Sequence, residues 1–214
     1  GGWTKLVATP LVGIARAGHS WATLEGTATL ALGTECYLYH YAGGNVSDIT
    51  PIRVSAAALP TDPFATVSAS STITVTHNTH GAVVGDRVTY SGVTNPVNGI
   101  TINSTPYTIL TVADANTYTI ADTETASSSA SAGGATVTGD YTINCGNSSS
   151  VFQYGYGVGN YGAEEYGDAR TASDALLAAT IWSLDNWGED LIAAKRAGGL
   201  YTWDTSGGVG TPAT

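Results

Sequence analysis

A strand pattern that occurs near both ends of the chain constrains the fold more than any other feature. Trp21 and Leu30 recur as Trp182 and Leu191, at the same offset of 161 residues. In each copy a tryptophan precedes an apolar strand, a turn and a second, aromatic strand. A recurring unit that cannot bury both faces by itself is typical of radial or stacked β architectures. We therefore expect blade-like, β-propeller-type segments at both ends of the chain.

The long offset predicts an insertion between the two copies, because adjacent propeller blades recur about every 40 to 50 residues. Residues 54–144 differ in composition and contain short, Thr-rich strands separated by Gly, Asn and Asp turns. The predicted strands are 73–76, 87–90, 107–112 and 117–120. Regular turns between alternating strands favour a small β-barrel or β-sandwich. The run 125–134, nearly all Ala, Ser and Gly, predicts a flexible hairpin tip.

The chain is accordingly divided into four predicted segments. They are a first propeller-like segment (1–53), an inserted β domain (54–144), a Gly/Tyr-rich connection (145–181) and a second propeller-like segment (182–214). Within the connection, the Gly/Tyr tract at 154–162 fits either a loop packed on its own domain or a subunit contact. Residues 174–181 contain helix formers, but their alignment with the first copy favours a strand. The absence of Met predicts that the chain is a fragment of a longer protein.

The composition supports an all-β fold and excludes several functions. Charged residues make up 11% of the chain, about half the usual share, which disfavours surface helices. The hydrophobic fraction of 43% predicts a folded chain. Seven basic residues and a net charge of -10 argue against tight binding of nucleic acid. Without a long apolar run or a basic leader, we predict neither a membrane span nor a signal peptide.

The histidines do not form a recognisable metal site. His77 and His80 are three positions apart, so in a strand they would point to opposite faces, and the residues between them indicate a turn. His19 and His40 have no third candidate ligand nearby, which favours a structural or solvated role. We expect no metal site and no cofactor.

The carboxylates offer two weak catalytic or binding candidates. Asp185, Glu189 and Asp190 surround Trp187 and could be interpreted as a glycosidase acid/base pair, but a solvated hairpin turn is the preferred interpretation. Glu164, Glu165 and Asp168 could bind calcium, although no EF-hand or repeated Gly-Asp loop frames them. No nucleophile elbow or phosphate-binding loop is present in the sequence. We therefore predict no catalytic residue.

The two cysteines, Cys36 and Cys145, could form one disulfide. Both lie in strand-like segments, where buried free thiols are ordinary, so we favour free thiols.

Both ends of the chain resemble one protein family. Residues 13–21, 30–34 and 48–53, together with 182–193 and 198–204, resemble phage tail nozzle or hub proteins, virion structural proteins similar to tail tubular protein B of short-tailed phages. Residues 80–81, 85–89 and 114–119 resemble a small β module of many phage structural proteins. The resemblance implies a β-propeller with an inserted domain, in a homohexameric ring that contacts other tail proteins and lets DNA leave the capsid.

We therefore expect a non-enzymatic component of the phage tail, through which DNA passes without specific binding. Two alternatives are a carbohydrate-binding adhesin or tail-spike head, and a polysaccharide-degrading enzyme. Four tryptophans discriminate between them: Trp21, Trp182, Trp187 and Trp203. Burial in the core favours the structural role, whereas a solvent-facing row favours the adhesin. A groove with two facing carboxylates favours the enzyme.

Overall fold

Antiparallel strands make up the computed structural model of this chain, which describes residue 7 and residues 10–146, 179–196 and 198–214. These ranges contain strands β1–β16, one short 3-10 helix and no α-helix. The predicted all-β class is confirmed. The internal contacts separate two units: a terminal unit of Gly1–Thr50 with Cys145–Thr214, and a central unit of Pro51–Asn144.

The terminal unit contains two antiparallel sheets, each built as a meander of sequential strands. The first sheet has the strands β1 (Ala15–Ala22), β2 (Ala28–Thr34), β3 (Leu38–Ala42) and β4 (Asn45–Asp48), in that order. The second has β14 (Trp182–Trp187), β15 (Asp190–Lys195) and β16 (Leu200–Trp203), in that order. The 3-10 helix Thr205–Gly207 follows β16, with Asp204 as its N-cap.

The alternation along β2 explains how these two sheets pack. Thr29, Ala31 and Gly33 are buried, whereas Leu30 and Leu32 on the other face are only half-buried. Small residues on the buried face leave room for the large ring of Trp182 from β14, which lies against Gly33. At this contact the core of the terminal unit is therefore built by a tryptophan packed on small residues, while Leu38, Ile49 and Leu191 are fully buried elsewhere in the unit.

The copies with the offset of 161 do not occupy equivalent positions. Trp21 lies near the end of β1 and pairs with Thr29. Trp182 is the first residue of β14 and pairs with Lys195 at the far end of its hairpin. The reason is turn length, since residues 23–27 connect β1 to β2 but only 188–189 connect β14 to β15. What recurs is the meander, not the position of each side chain.

The central unit contains two further antiparallel sheets. One has the order β10-β11-β7-β6-β12 and the other the order β5-β13-β8-β9, and neither closes on itself. The strands are β5 (Ile52–Ala58), β6 (Phe64–Thr66), β7 (Thr72–Thr76), β8 (Arg87–Ser91), β9 (Tyr107–Thr108), β10 (Thr111–Asp114), β11 (Thr117–Ala121), β12 (Ser131–Ala132) and β13 (Thr138–Thr142). Apolar side chains of both sheets form one buried cluster that includes Phe64, Ile73, Val88, Tyr118 and Tyr141.

Two local predictions in the central unit are corrected. The predicted strand 107–112 is two strands in different sheets, because Ile109 is fully buried and donates its N–H to Asp86 while Leu110 donates to Thr119. The run 125–134 is not a free tip but contains β12 and hydrogen-bonds to its own unit. Its small residues permit close approach, and a β-carbon on Gly133 would lie 2.7 Å from the Phe64 ring.

Candidate functional site

Three of the four discriminating tryptophans are buried. Trp21, Trp182 and Trp203 are 8%, 3% and 2% exposed, whereas Trp187 is 79% exposed. Each buried indole donates its Nε1–H to a main-chain carbonyl: Trp21 to Glu189 (2.8 Å), Trp182 to Thr34 (2.8 Å) and Trp203 to Thr211 (3.0 Å). A buried indole with its single donor satisfied is a packing element.

Two of these bonds connect the sheets of the terminal unit in opposite directions. Trp21 on β1 donates to Glu189 in the turn after β14, and Trp182 on β14 donates to Thr34 at the end of β2. Each sheet therefore contributes one tryptophan that is bound to the backbone of the other sheet. This reciprocal pair fixes how the two sheets sit on each other.

Trp21 also belongs to a row of four aromatic rings in the terminal unit. His19 stacks on Trp21 at a centroid distance of 5.8 Å, Trp21 lies 5.9 Å from His40, and His40 lies 4.4 Å from Trp203. His40 is buried, and burial lowers its pKa below the ordinary value. Its Nε2 has no hydrogen-bond partner among the described residues. His40 is therefore a neutral imidazole that lacks one polar contact.

The predicted carboxylate cluster is dispersed by hydrogen bonding. Asp185 is largely exposed and its Oδ1 lies 3.8 Å from Nε2 of His19. Glu189 accepts the Leu24 N–H at 2.5 Å through Oε1. Asp190 accepts the N–H and the Oγ1–H of Thr205 through Oδ1, at 3.1 and 2.8 Å. Glu189 thus connects the β14–β15 turn to the β1–β2 turn, and Asp190 bonds to the 3-10 helix, while the side chain of Asp185 is largely exposed to solvent.

An open cavity of ≈ 400 Å³ lies where these turns meet, and we call it the hairpin cavity. It is lined by Thr23, Leu24, Glu25, Thr27, Thr29, His40, Ala42, Glu189, Trp203, Thr205 and Val209. Its walls come from the β1–β2 turn, from β2 and β3, from the β14–β15 turn and from the segment after β16. Sequence analysis did not find this cavity, and strand alternation gives no signal for His40, because its neighbour Tyr39 on the opposite face of β3 is buried as well.

His77 and His80 both form hydrogen bonds within the central unit. Their ring centroids are 6.5 Å apart. His77 Nδ1 lies 2.6 Å from the hydroxyl of Tyr141, while His80 accepts the Ala82 N–H at Nδ1 and lies 3.2 Å from the Asp114 carbonyl at Nε2. Both imidazoles therefore serve the structure of the central unit. Among the described residues no group of three or more potential metal ligands is found.

Buried hydroxyls in the central unit form a continuous chain from His77. The Tyr141 hydroxyl lies 2.7 Å from that of Tyr118, which lies 2.8 Å from that of Tyr90. Burial is the main cause that raises the pKa of each of these three tyrosines, so all are protonated near neutral pH. The chain connects the two sheets of the unit, since Tyr118 belongs to β11 and Tyr141 to β13.

A buried carboxylate lies beside this chain. Asp86 accepts the Val83 N–H at 3.1 Å, and its Oδ2 lies 3.5 Å from a guanidinium nitrogen of Arg53. The same guanidinium lies 5.6 Å from the ring centroid of Tyr141. Asp86 Oδ1 is buried and has no partner among the described residues. Sequence analysis missed this pair because its members are 33 positions apart.

Several predictions fall on other parts of the chain. Glu164, Glu165 and Asp168, the Gly/Tyr tract at 154–162 and most of the segment 174–181 lie outside the described residues. Cys36 and Cys145 are not joined by a disulfide; the first is half-buried and the second is buried. No helix in the described ranges is long and apolar enough to cross a membrane.

Comparisons with known proteins give little beyond this geometry. No family model matches the chain, and no curated protein matches it. Among solved structures, the chain is similar to one described as "Phage phi92 endosialidase", with a TM-score of 0.33 and 17% sequence identity. The similarity covers 60% of this chain and 17% of that one. A TM-score of this size does not establish a shared fold.

Proposed function

We propose that this chain is a non-enzymatic structural component of a virus particle, a ring-forming subunit of a phage tail nozzle or hub. The burial of Trp21, Trp182 and Trp203, each with its indole N–H bound to a carbonyl, carries the proposal. Aromatic side chains are used here to hold two sheets together. The resemblance of both ends of the sequence to tail nozzle proteins supports the same function.

Among the described residues, the tryptophans and carboxylates singled out by the sequence do not form the arrangements that the two alternatives require. An adhesin that stacks glycans on a sheet needs a row of exposed aromatic rings, but among these four tryptophans Trp187 alone is exposed. A glycosidase needs two carboxylates that face each other across the substrate. Glu189 and Asp190 are instead bonded to Leu24 and Thr205. These contacts favour a scaffold over both alternatives.

The meanders of the terminal unit support the propeller part of the proposal. A propeller blade is a four-stranded antiparallel sheet with sequential strands, and β1–β4 have this order. The second sheet has three strands, and Thr214 exchanges two hydrogen bonds with Thr202 of β16, at 2.8 and 2.9 Å. Thr214 thus pairs with β16 at the position where a fourth strand of a blade would lie. We propose that both sheets are blades and that the central unit is the inserted domain.

The charge of the chain suits a conduit through which DNA slides. Each contact between a cation and a phosphate adds affinity, and a ring of identical subunits multiplies it. We propose a homohexameric ring whose pore-facing residues from this chain are neutral or acidic. Its seven basic residues are Lys5, Arg16, Arg53, Arg87, Arg170, Lys195 and Arg196.

Imaging of assembled particles tests this function. We expect six copies of the chain in a closed ring on the tail axis, next to other tail proteins and without specific DNA contacts. A single asymmetric copy, or a pore wall formed mainly by the basic residues, contradicts the proposal. In parallel, incubation of the protein with bacterial polysaccharides should release no reducing ends. Hydrolysis that is lost in Glu189→Gln and Asp190→Asn would instead establish the enzyme.

A further inference from the structure

We infer that the hairpin cavity is a binding site for a neutral sugar. The inference concerns the terminal unit alone and does not depend on ring assembly, so it goes beyond the proposed structural function. It rests on three properties of the lining: its hydrogen-bonding groups, its charge and the unpartnered nitrogen of His40. The inferred site does not need the row of exposed tryptophans that an adhesin would use to stack glycans.

The lining presents mainly hydrogen-bond acceptors. Thr29 and Thr205 already donate their hydroxyl hydrogens, to the Trp21 carbonyl and to Asp190, and so retain free lone pairs. The carboxylates of Glu25 and Glu189 add further acceptors. Thr23 accepts the Thr27 N–H, which leaves its own hydroxyl hydrogen to donate. A ligand with several hydroxyls matches this set, because each hydroxyl donates one hydrogen bond and also accepts.

The charge of the lining excludes anionic ligands. Glu25 and Glu189 are acidic, and the described residues that line the cavity include no Lys or Arg. A carboxylated or phosphorylated sugar would meet repulsion here without a compensating cation. The ligand class is therefore a sugar without formal negative charge.

The third property of the lining is a polar atom of His40 that lacks a hydrogen-bond partner. Only 3% of this residue is exposed, it lines the cavity, and its Nε2 has no partner among the described residues. A buried polar atom without a partner is unfavourable. This nitrogen is closed to solvent in the structure, so a ligand hydroxyl reaches it only when the imidazole turns toward the cavity. Either tautomer of the neutral ring then gains a partner, because a hydroxyl can donate to the bare nitrogen or accept from the N–H.

The apolar part of the lining favours a sugar ring over a small amine. Leu24, Ala42, Trp203 and Val209 contribute apolar surface next to the polar groups. Pyranose rings combine C–H faces with hydroxyl edges, whereas an ammonium group offers donors without an apolar face. A cavity of ≈ 400 Å³ is also within the usual range of about 300 to 1,000 Å³ for small-ligand sites.

Histidine NMR signals of the whole chain provide the test. The chain has four histidines, and His77 and His80 belong to the central unit, so their signals are internal references. The probes are a panel of neutral oligosaccharides that includes maltotriose, cellotriose and N-acetyllactosamine, with 3′-sialyllactose and spermidine for comparison. We expect a neutral member to shift the His40 signal saturably, while the signals of His77 and His80 stay in place.

Two variants test whether the shift of the His40 signal arises from binding in the hairpin cavity. Leu24 is 92% exposed at the rim, so Leu24→Arg should leave folding intact while its guanidinium occupies the acidic mouth and weakens sugar binding about tenfold or more. Val67→Arg, at an exposed site of the central unit, is the matched control and should bind as the unsubstituted chain does. Absence of a His40 shift with every neutral sugar at about 10 mM overturns the inference. A shift with spermidine or 3′-sialyllactose alone also overturns it.

Discussion

The ring of Trp182 lies directly on the backbone of Gly33, in the position that a side chain of residue 33 would need. A β-carbon at Gly33 would be 2.4 Å from Cδ1 and 2.5 Å from Cγ of the indole. The same indole donates its N–H to the carbonyl of Thr34, the next residue along β2. Gly33 is therefore required for the contact between the two sheets of the terminal unit, and a larger residue must displace the tryptophan.

We predict that Gly33→Ala destabilises the terminal unit by about 1–3 kcal/mol, because an added methyl group overpacks the contact with Trp182. None of the five tryptophans in the sequence lies in the central unit, so indole fluorescence during urea unfolding reports the stability of the terminal unit. Gly210→Ala is the matched control, since no atom lies within 4 Å of its added β-carbon. Equal urea midpoints for the two variants would show that the indole can shift at no cost.

A second prediction concerns the hydroxyl chain of the central unit. Tyr118 occupies the middle and contacts the hydroxyls of both Tyr90 and Tyr141, whereas Tyr90 is at the end. Tyr118→Phe should cost about 1–3 kcal/mol in the free energy of unfolding, and Tyr90→Phe less, since it leaves fewer buried groups unpaired. Urea titration followed by NMR signals of Ile73 and Ile120 measures both. A larger loss in Tyr90→Phe contradicts this order.

A third prediction is that the central unit loses stability in mild acid. Burial, and next the charge of His80, lower the pKa of His77 below its ordinary value of 6.5. Below pH 6.5 the unfolded chain therefore takes up a proton that the folded unit still excludes. The stability from the neutral imidazole is complete above pH 6.5 and is lost as the pH falls through the folded pKa.

His77→Gln tests this dependence, because glutamine can bond to the Tyr141 hydroxyl but does not titrate. Urea midpoints of the central unit at pH 7.5 and pH 5.5 should differ less in His77→Gln than in the unsubstituted chain. His19→Gln, in the terminal unit, is the control and should leave the difference unchanged. The prediction is wrong if His77→Gln retains the full difference.

The ion pair between the partly exposed Arg53 and the buried Asp86 gives a fourth prediction. Removing the charge of Asp86 leaves the guanidinium of Arg53 without its carboxylate, although Arg53 is partly exposed and solvent offsets part of the loss. Asp86→Asn should therefore destabilise the central unit by about 1–3 kcal/mol. The control is Asp140→Asn, which removes a carboxylate that accepts the exposed N–H of Ala56. Its urea midpoint should change less than that of Asp86→Asn.

The sequence allowed strands to be predicted where alternation is regular. The predicted strands 73–76, 87–90 and 117–120 are observed as β7, β8 and β11, within one residue at each end. Prediction failed at Ile109, where an apolar run passes from one sheet to another. The alternation of apolar and polar residues indicates which side chains face the core. It does not show that the chain leaves one sheet and enters another, because the alternation can continue through the change.

The contacts that build the site could not be predicted in the same way. Trp21 meets Glu189, and Trp182 meets Thr34, across separations of 168 and 148 residues. Such pairs depend on how two sheets pack, and this packing cannot be read from the pattern of a single sequence. The match of Trp21 with Trp182 correctly suggested related meanders but assigned equivalence to two positions that differ, because the connecting turns differ in length.

The last prediction concerns the two cysteines of the terminal unit, which are not joined by a disulfide. Cys36 is half-buried, so its thiol should react with Ellman's reagent in the native protein, whereas the buried Cys145 should react only after unfolding. Accessibility controls the rate, because a reagent must reach the thiolate. We expect one fast thiol in buffer and two in urea, with Cys36→Ser removing the fast phase. Failure to detect two thiols in urea without reductant would indicate a disulfide and contradict the free-thiol structure.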